Sequence, residues 1–337
     1  MPLSRRRFLG QATGTILLGG LAACGSNEAA KAASVPSTVK SKPPVKLVDR
    51  VKIGCYVNEN GYEANPVPPH ILDSFEQELG RRFDIIHYYF PWEAPFSAAI
   101  NSNVPKRKLM ISWNPTGPVI PKILTSAYDA YIADYGRAAK AYRHPVYIRF
   151  AAEMNGDWNS YSAGSAGGPS AKDFILAWHR VVGIFRAVHA DNVKFIWCPT
   201  EIDTPDVAGN HLENYWPGAK YVDILGFDAY NWSVGGDIEG GGGWRPFDAM
   251  CATGYRRVAL LDKSLPIWLC ETGCTEAVLG DPPGVSKGAW FTDMFQSTLY
   301  PRLKGLVYFS SDDTTLGRNW RIDTSSQAIE GWKEGWT

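Results

Sequence analysis

The chain of 337 residues has six histidines and six cysteines, with no Cys-x-x-Cys spacing and no histidine-rich cluster. Structural zinc needs four nitrogen or sulfur ligands at close spacings of that kind, so no zinc site and no cofactor are expected. Charge of one sign is also lacking. Lys and Arg together number 34, Asp and Glu together 34, and the formal net charge is +0, which leaves no electrostatic reason to expect nucleic acid as a partner. A long hydrophobic run is missing too. The apolar stretch from Ala12 to Ala23 falls short of the roughly 20 residues that a stable membrane-spanning helix requires. Finally, five cysteines remain beyond Cys24 (Cys55, Cys198, Cys251, Cys270 and Cys274), and an odd number cannot pair completely.

What is abundant is aromatic surface: 13 Trp, 16 Tyr and 14 Phe. The chain also opens on an address. Ser4-Arg5-Arg6-Arg7-Phe8-Leu9 has the form of a twin-arginine export motif, and Leu21-Ala22-Ala23-Cys24 that of a bacterial lipoprotein cleavage box. Residues 1–24 are therefore expected to be a signal, with Cys24 the site of lipidation. Residues 25–48, rich in Ser, Ala, Lys and Pro, read as a flexible tether. That leaves 49–337 as one domain, expected to be a monomer held at a membrane by lipid, in the periplasm or on the cell surface.

Within that domain short apolar runs recur at Val51–Val57, Phe83–Phe90, Lys108–Asn114, Val146–Ala152, Val193–Pro199, Val222–Tyr230, Pro266–Thr272 and Gly305–Ser310. Nearly continuous apolar runs of this length suit parallel strands buried on both faces. Amphipathic stretches lie between them. The clearest is Ala171–His189, with Phe174, Trp178, Val181, Phe185 and Val188 at helical spacing; Ala127–Tyr142, Pro246–Asp262 and Lys287–Leu303 are others. Strand alternating with helix eight times predicts an α/β fold, a single (β/α)8 TIM barrel. An open doubly wound sheet would favour a glycine-rich phosphate turn after its first strand. Tyr56-Val57-Asn58-Glu59 stands there instead, and Gly240–Gly243 reads as a loop after a late strand.

In such barrels chemistry gathers at the C-terminal strand ends. Strand four leads from Arg149 to Glu153, strand seven carries Glu271, and strand six ends Gly226-Phe227-Asp228-Ala229-Tyr230-Asn231. A carboxylate beside a buried strand is strongly unfavourable unless it is paired or used. Alternation along strand four would put Arg149 on the face of Glu153. Carboxylates from strands four and seven converge across a barrel mouth. Two carboxyl groups about 5–5.5 Å apart can cleave a glycosidic bond with retention, one shuttling the proton and the other attacking the anomeric carbon. The competing reading is an ion-pair network tying the barrel top together.

Aromatic residues accumulate at the same rim. Trp92 follows strand two, Trp113 ends strand three, Trp158 follows strand four, Trp232 and Trp244 follow strand six, and Tyr308 and Trp320 lie at or beyond strand eight. Flat rings stack on the apolar faces of sugars. Trp92, Trp113, Trp158, Trp244 and Tyr308, with Arg149, Asn155 and Tyr230, are taken as candidate substrate contacts. Trp178 and Trp197 are expected in the core.

The block Arg149-Phe150-Ala151-Ala152-Glu153-Met154-Asn155-Gly156-Asp157-Trp158, the run from Tyr221 to Asn231, Trp244 with Phe247, and Pro266-Ile267 leading to Glu271-Thr272-Gly273 together resemble glycoside hydrolase family 26, over about residues 50–335. The resemblance implies a retaining endo-β-glycanase acting on a polysaccharide. It implies Glu153 as acid/base, Glu271 as nucleophile, Tyr230 as the residue that orients Glu271, and Trp158 and Trp244 in sugar subsites. Two positions depart from the family pattern. Ala152 stands where mannanases of the family usually carry histidine, and Thr200 where asparagine is expected. The first moves the expected substrate from mannan toward a β-glucan with 1,3 and/or 1,4 linkages. A β-mannanase, or a non-catalytic glycan-binding surface lipoprotein, remain the alternatives.

Overall fold

A computed structural model describes residues 44–58, 67–96, 107–234, 243–313 and 318–337. The signal, Cys24 and most of the tether lie outside the described residues, as does most of the Gly240–Gly243 run.

Eight strands close into a parallel barrel in sequential order: β1 (Lys52–Val57), β2 (Ile85–Pro91), β3 (Lys108–Asn114), β4 (Val146–Phe150), β5 (Val193–Trp197), β6 (Ile224–Asn231), β7 (Ile267–Cys274) and β8 (Leu303–Ser310). The registers are parallel throughout, and β8 returns to pair with β1, with Cys55 opposite Tyr308. The apolar runs were legible because each strand is covered on both faces. Ile85, Met110, Tyr147, Ile196, Ile224, Trp268 and Val307 point inward and fill the floor of the barrel. Their sequence neighbours point outward to the helices. Gly305 is required there: a Cβ on it would sit 2.3 Å from the Trp268 ring.

Outside run α1 (Pro69–Leu79), α2 (Val119–Leu124), α3 (Asp129–Tyr142), α4 (Ala171–Ala187), α5 (Phe247–Leu261), α6 (Lys287–Gln296) and α7 (Ser326–Trp336). The start of α4 is written in its sequence: the Ser170 hydroxyl accepts the Asp173 amide, and Phe174, Trp178, Val181 and Phe185 are its buried stripe. Trp178 and Trp197 are core, as expected, both fully buried.

Strict alternation fails between β5 and β6, where there is no α-helix, only the 3-10 turns Leu212–Tyr215 and Ala219–Tyr221. Pro199, Pro205 and Pro217, with Gly209 and Gly218, break any helical run there. The packed body also begins before residue 49. Leu47 is fully buried, and its amide donates to the Ser297 carbonyl at 2.8 Å.

Candidate active site

The mouth of the barrel is built on a layer of polar side chains placed directly above the apolar floor. His87 on β2, Ser112 on β3, Arg149 on β4 and Asp228 on β6 are each at most 1% exposed, and Glu271 on β7 is 7% exposed. Four of these follow from strand alternation: His87, Ser112 and Arg149 stand two residues beyond the floor residues Ile85, Met110 and Tyr147, and Asp228 four beyond Ile224. Glu271 does not. From Trp268, alternation points Cys270 inward and Glu271 outward. The register breaks there: Phe227 pairs with Leu269, but Asp228 pairs with Glu271, so Cys270 is an extra residue in β7. Such a bulge re-aims the side chain that follows it. Cys270 and Glu271 therefore both face inward, while Leu269 and Cys274 pack in the outer core.

Glu271 is gripped from three sides. Tyr89 and Arg149 both donate to its Oε1, and the Tyr230 hydroxyl donates to Oε2 at 3.0 Å. Burial and the nearby Glu271 charge push both tyrosine hydroxyls well above their ordinary range, which keeps them protonated donors. Arg149 reaches further. Its other terminal nitrogen pairs with Asp228, and Nη1 also donates to Ser112 Oγ at 2.9 Å. Burial alone would depress the guanidinium; the facing carboxylates of Asp228 and Glu271 raise it well above its usual value. Ser112 in turn meets His87 Nε2 at 2.8 Å. Burial, with Arg149 close by, holds His87 well below the usual imidazole range and therefore neutral.

Glu153 arrives differently from the way strand periodicity predicts. β4 ends at Phe150, and Ala151 and Glu153 take left-handed φ values of 47° and 53°. Such a conformation in non-glycine residues costs of order 1–3 kcal/mol and persists where surroundings hold it. Here the Ala151 amide donates to Trp113 O at 3.1 Å and the Glu153 amide to Cys198 O at 2.8 Å. Arg149 and Glu153 thus meet at one site, but not as same-face neighbours on a strand, and the ion-pair partners of Arg149 are Asp228 and Glu271. The Glu153 carboxylate accepts Trp158 Nε1 at 2.9 Å. Its pKa is raised, first by burial and then by the charge of Glu271, against the opposing pull of Arg149, Trp158 and Asp228. One carboxylate oxygen from each of Glu153, Asp228 and Glu271 lies within 4.8 Å of the others.

Two carboxyl groups of unlike environment therefore face each other. One is fixed by three donors; the other is biased toward holding a proton. That division suits one nucleophile and one acid/base. Asp228 is different again: burial raises its pKa well above the carboxylate range despite Arg149. Among the described residues, two acidic groupings have donor atoms close enough to hold a cation, Glu153–Asp228–Glu271 and Asp203–Asp206–His211. In the first, Arg149 already provides the positive charge. In the second, Asp203 is engaged by Asn155, Arg257 and the Leu212 amide.

The aromatic expectations divide. Trp158 is 53% exposed beside Glu153, and Trp244 is half-buried at the rim. Trp92, Trp113 and Tyr308 are corrected: all are buried among the outer core residues. Trp113 stacks on Tyr135 and Trp92 with centroids 4.3 and 4.5 Å away, and the Tyr308 hydroxyl accepts the Cys274 amide. Each side chain points to the helices because its neighbour on the strand points inward. Asn155 is corrected too. It is fully buried, and its side chain is spent tying Thr200 and Asp203 to the loop after β4. Around the mouth the rings of Tyr56, Tyr89, Phe309, Tyr230, Trp232 and Trp320 form a connected wall. Sequence reasoning missed Tyr89, Ser112, His87 and Asp228. The available signal was a polar side chain at an inward position of an otherwise apolar strand. All five cysteines beyond Cys24 are buried.

Residues 106–243 match the sequence model of Glycosyl hydrolase family 26. Endoglucanase H of Acetivibrio thermocellus is 30% identical over 294 residues, which is 84% of this chain and 30% of that protein. Mannan endo-1,4-beta-mannosidase A and B of Caldalkalibacillus mannanilyticus is 30% identical over 131 residues, 38% of this chain and 21% of that protein. The chain thus spans less than a third of the length of either relative. Among solved structures, a GH26 beta-mannanase from Bacteroides ovatus aligns with a TM-score of 0.56 at 14% identity, covering 86% of this chain and 90% of that one. A Cellulomonas fimi endo-beta-1,4-mannanase aligns with a TM-score of 0.60 at 15% identity, covering 86% and 71%. These two likenesses are of fold.

Proposed function

We propose that this chain, whose residues 106–243 carry the signature of glycosyl hydrolase family 26, is a retaining endo-β-glycanase that works through Glu153 and Glu271. The observation that carries the reading is the opposed pair itself. Glu271 is aimed by Tyr89, Arg149 and Tyr230, and Glu153 is biased toward its protonated form, with carboxylate oxygens within 4.8 Å. Retaining enzymes hold their carboxyl groups about 5–5.5 Å apart, whereas inverting ones leave about 6.5–9.5 Å for a water.

In the first step Glu271 Oε attacks the anomeric carbon as Glu153 passes its proton to the departing glycosidic oxygen, and a glycosyl ester forms on Glu271. In the second, Glu153, now ionised, takes a proton from water. The resulting hydroxide attacks the same carbon, and Glu271 leaves as carboxylate. Trp158 offers its exposed ring to a sugar next to the cleaved bond.

For substrate we favour a β-glucan with 1,3 and/or 1,4 linkages. Ala152 supports this, because a methyl group beside Glu153 offers no imidazole to a sugar hydroxyl. So does the alignment with a protein called endoglucanase H over 84% of this chain. A β-mannan is the second reading, supported by the mannosidase relative. Incubation with barley-type mixed-linkage β-glucan and with galactomannan, followed by product analysis, decides between them. Release of reducing ends from neither would leave a glycan-binding protein. We also propose export by the twin-arginine route and lipid attachment at Cys24. In that case Cys24→Ala moves the protein from the membrane fraction to the soluble one.

A further inference from the structure

We propose that Cys198 is a positioning residue of this site, its thiol holding the Asp228 carboxylate that keeps Arg149 on Glu271 while its carbonyl holds Glu153. The proposal rests on the two-glutamate reading above.

Cys198 follows β5 and is fully buried. Its Sγ donates to Asp228 Oδ1 at 3.2 Å, while Asp228 Oδ2 accepts from Arg149. Its carbonyl oxygen accepts the amide of Glu153 at 2.8 Å, the residue held at a left-handed φ. One residue therefore touches both halves of the catalytic pair: Glu153 through its backbone, and Glu271 by way of Asp228 and Arg149. The backbone around it is pinned to the same partner. The Asp228 amide donates to Pro199 O, and the Glu201 amide to Asp228 O, each at 3.0 Å. This clamp fixes where the thiol sits relative to the carboxylate.

The surroundings explain why sulfur suits the position. Ile196, Ile224 and Cys270 are its neighbours in the apolar floor. A thiol packs there as a small apolar group and still offers a weak donor to the polar layer above. Burial raises the thiol well above its ordinary range, so it stays an S–H donor and adds no charge. Gly226 leaves the necessary room: a Cβ on it would lie 2.9 Å from Cys198 Cβ and 2.8 Å from Cys270 Sγ.

The test uses three variants of the full chain. Cys198→Ala and Cys198→Val both remove the donor, one leaving space and the other filling it; Cys198→Ser keeps a hydroxyl. Losing a hydrogen bond to the buried Asp228 carboxyl is expected to lower kcat about tenfold in the Ala and Val variants, with KM within about twofold. It is also expected to move the acid limb of the pH profile of kcat/KM upward, because Asp228, already pushed up by burial, has lost a donor to its carboxylate form. The Ser variant should stay near wild type in both. Equal damage in all three, or Ala and Val variants that match wild type, would overturn the proposal. An infrared measurement reads the contact without turnover. The S–H stretching band lost in Cys198→Ser should shift to higher frequency in Asp228→Asn. A band that does not respond to Asp228→Asn refutes the contact even in a chain that hydrolyses nothing, whereas an inactive wild type whose band does respond would sink only the hydrolase reading.

Discussion

Replacing Arg149 by methionine tests the electrostatics of the site most directly. Methionine keeps much of the volume but strands Asp228 and Glu271, which are 0% and 7% exposed and both bonded to that guanidinium. Removing one partner of a buried ion pair costs about 3–5 kcal/mol, because an uncompensated charge stays behind. Folded domains have only about 5–15 kcal/mol in total. A loss of that size lowers the melting temperature of a domain like this one by roughly 6–20 °C. The loss should also depend on pH. Burial raises the Asp228 pKa even beside Arg149, and losing the guanidinium pushes it further up. The penalty is then full above that folded value and is relieved as pH falls through it toward the ordinary carboxyl range near about 4. Guanidinium denaturation of wild type and variant at pH 7 and pH 5 measures both effects, with the smaller difference expected at pH 5. A difference below about 1 kcal/mol, or one equal at both pH values, refutes the view that Arg149 compensates two buried carboxyls.

The Glu271→Ala variant is expected to release no reducing ends from any β-glycan while still binding polysaccharide in a pull-down; residual turnover near wild type would remove Glu271 from the mechanism. Glu153→Gln should fail on polysaccharide but retain glycosyl-enzyme formation on an aryl glycoside whose leaving group needs no proton, as a burst of released phenol. Because the Glu153 pKa is raised, by burial and then by Glu271, wild-type activity should fall as pH rises through a value above the usual glutamate range. The protonated side chain also contributes stability at low pH that is lost as pH rises through that value, so Glu153→Gln should gain stability over wild type only on the alkaline side. Trp158→Phe removes the 2.9 Å donor to Glu153; the alkaline limb should then move further up, and an unmoved limb would show that this hydrogen bond does not tune the acid. Ser170→Ala removes the cap of α4 and should cost about 1 kcal/mol in denaturant unfolding without touching the pH profile.

The barrel was legible in the sequence because parallel strands covered on both faces must be apolar almost throughout, and because helices such as α4 announce their start and buried stripe. Glu153 and Glu271 were legible for the opposite reason: a carboxylate at the end of such a run is too costly to be idle. The direction in which each side chain points is another matter. Trp92, Trp113 and Tyr308 sit at the predicted strand ends, but the parity of each strand turns them to the helices, and parity is set by which neighbour fills the barrel floor. Glu271 faces inward only because Cys270 is an extra residue in β7, and Glu153 only because two left-handed residues turn the chain after Phe150. Neither leaves a local mark in sequence, since both are held by hydrogen bonds to distant strands. Tyr89, Asp228 and Cys198 became part of the site for the same reason. Sequence by itself determined the eight strands, helices such as α4, and the presence of two glutamates at strand ends. Closing eight strands into one ring decided which polar groups surround them, because the electrostatic cost of each buried charge can be met only by partners that closure brings within reach.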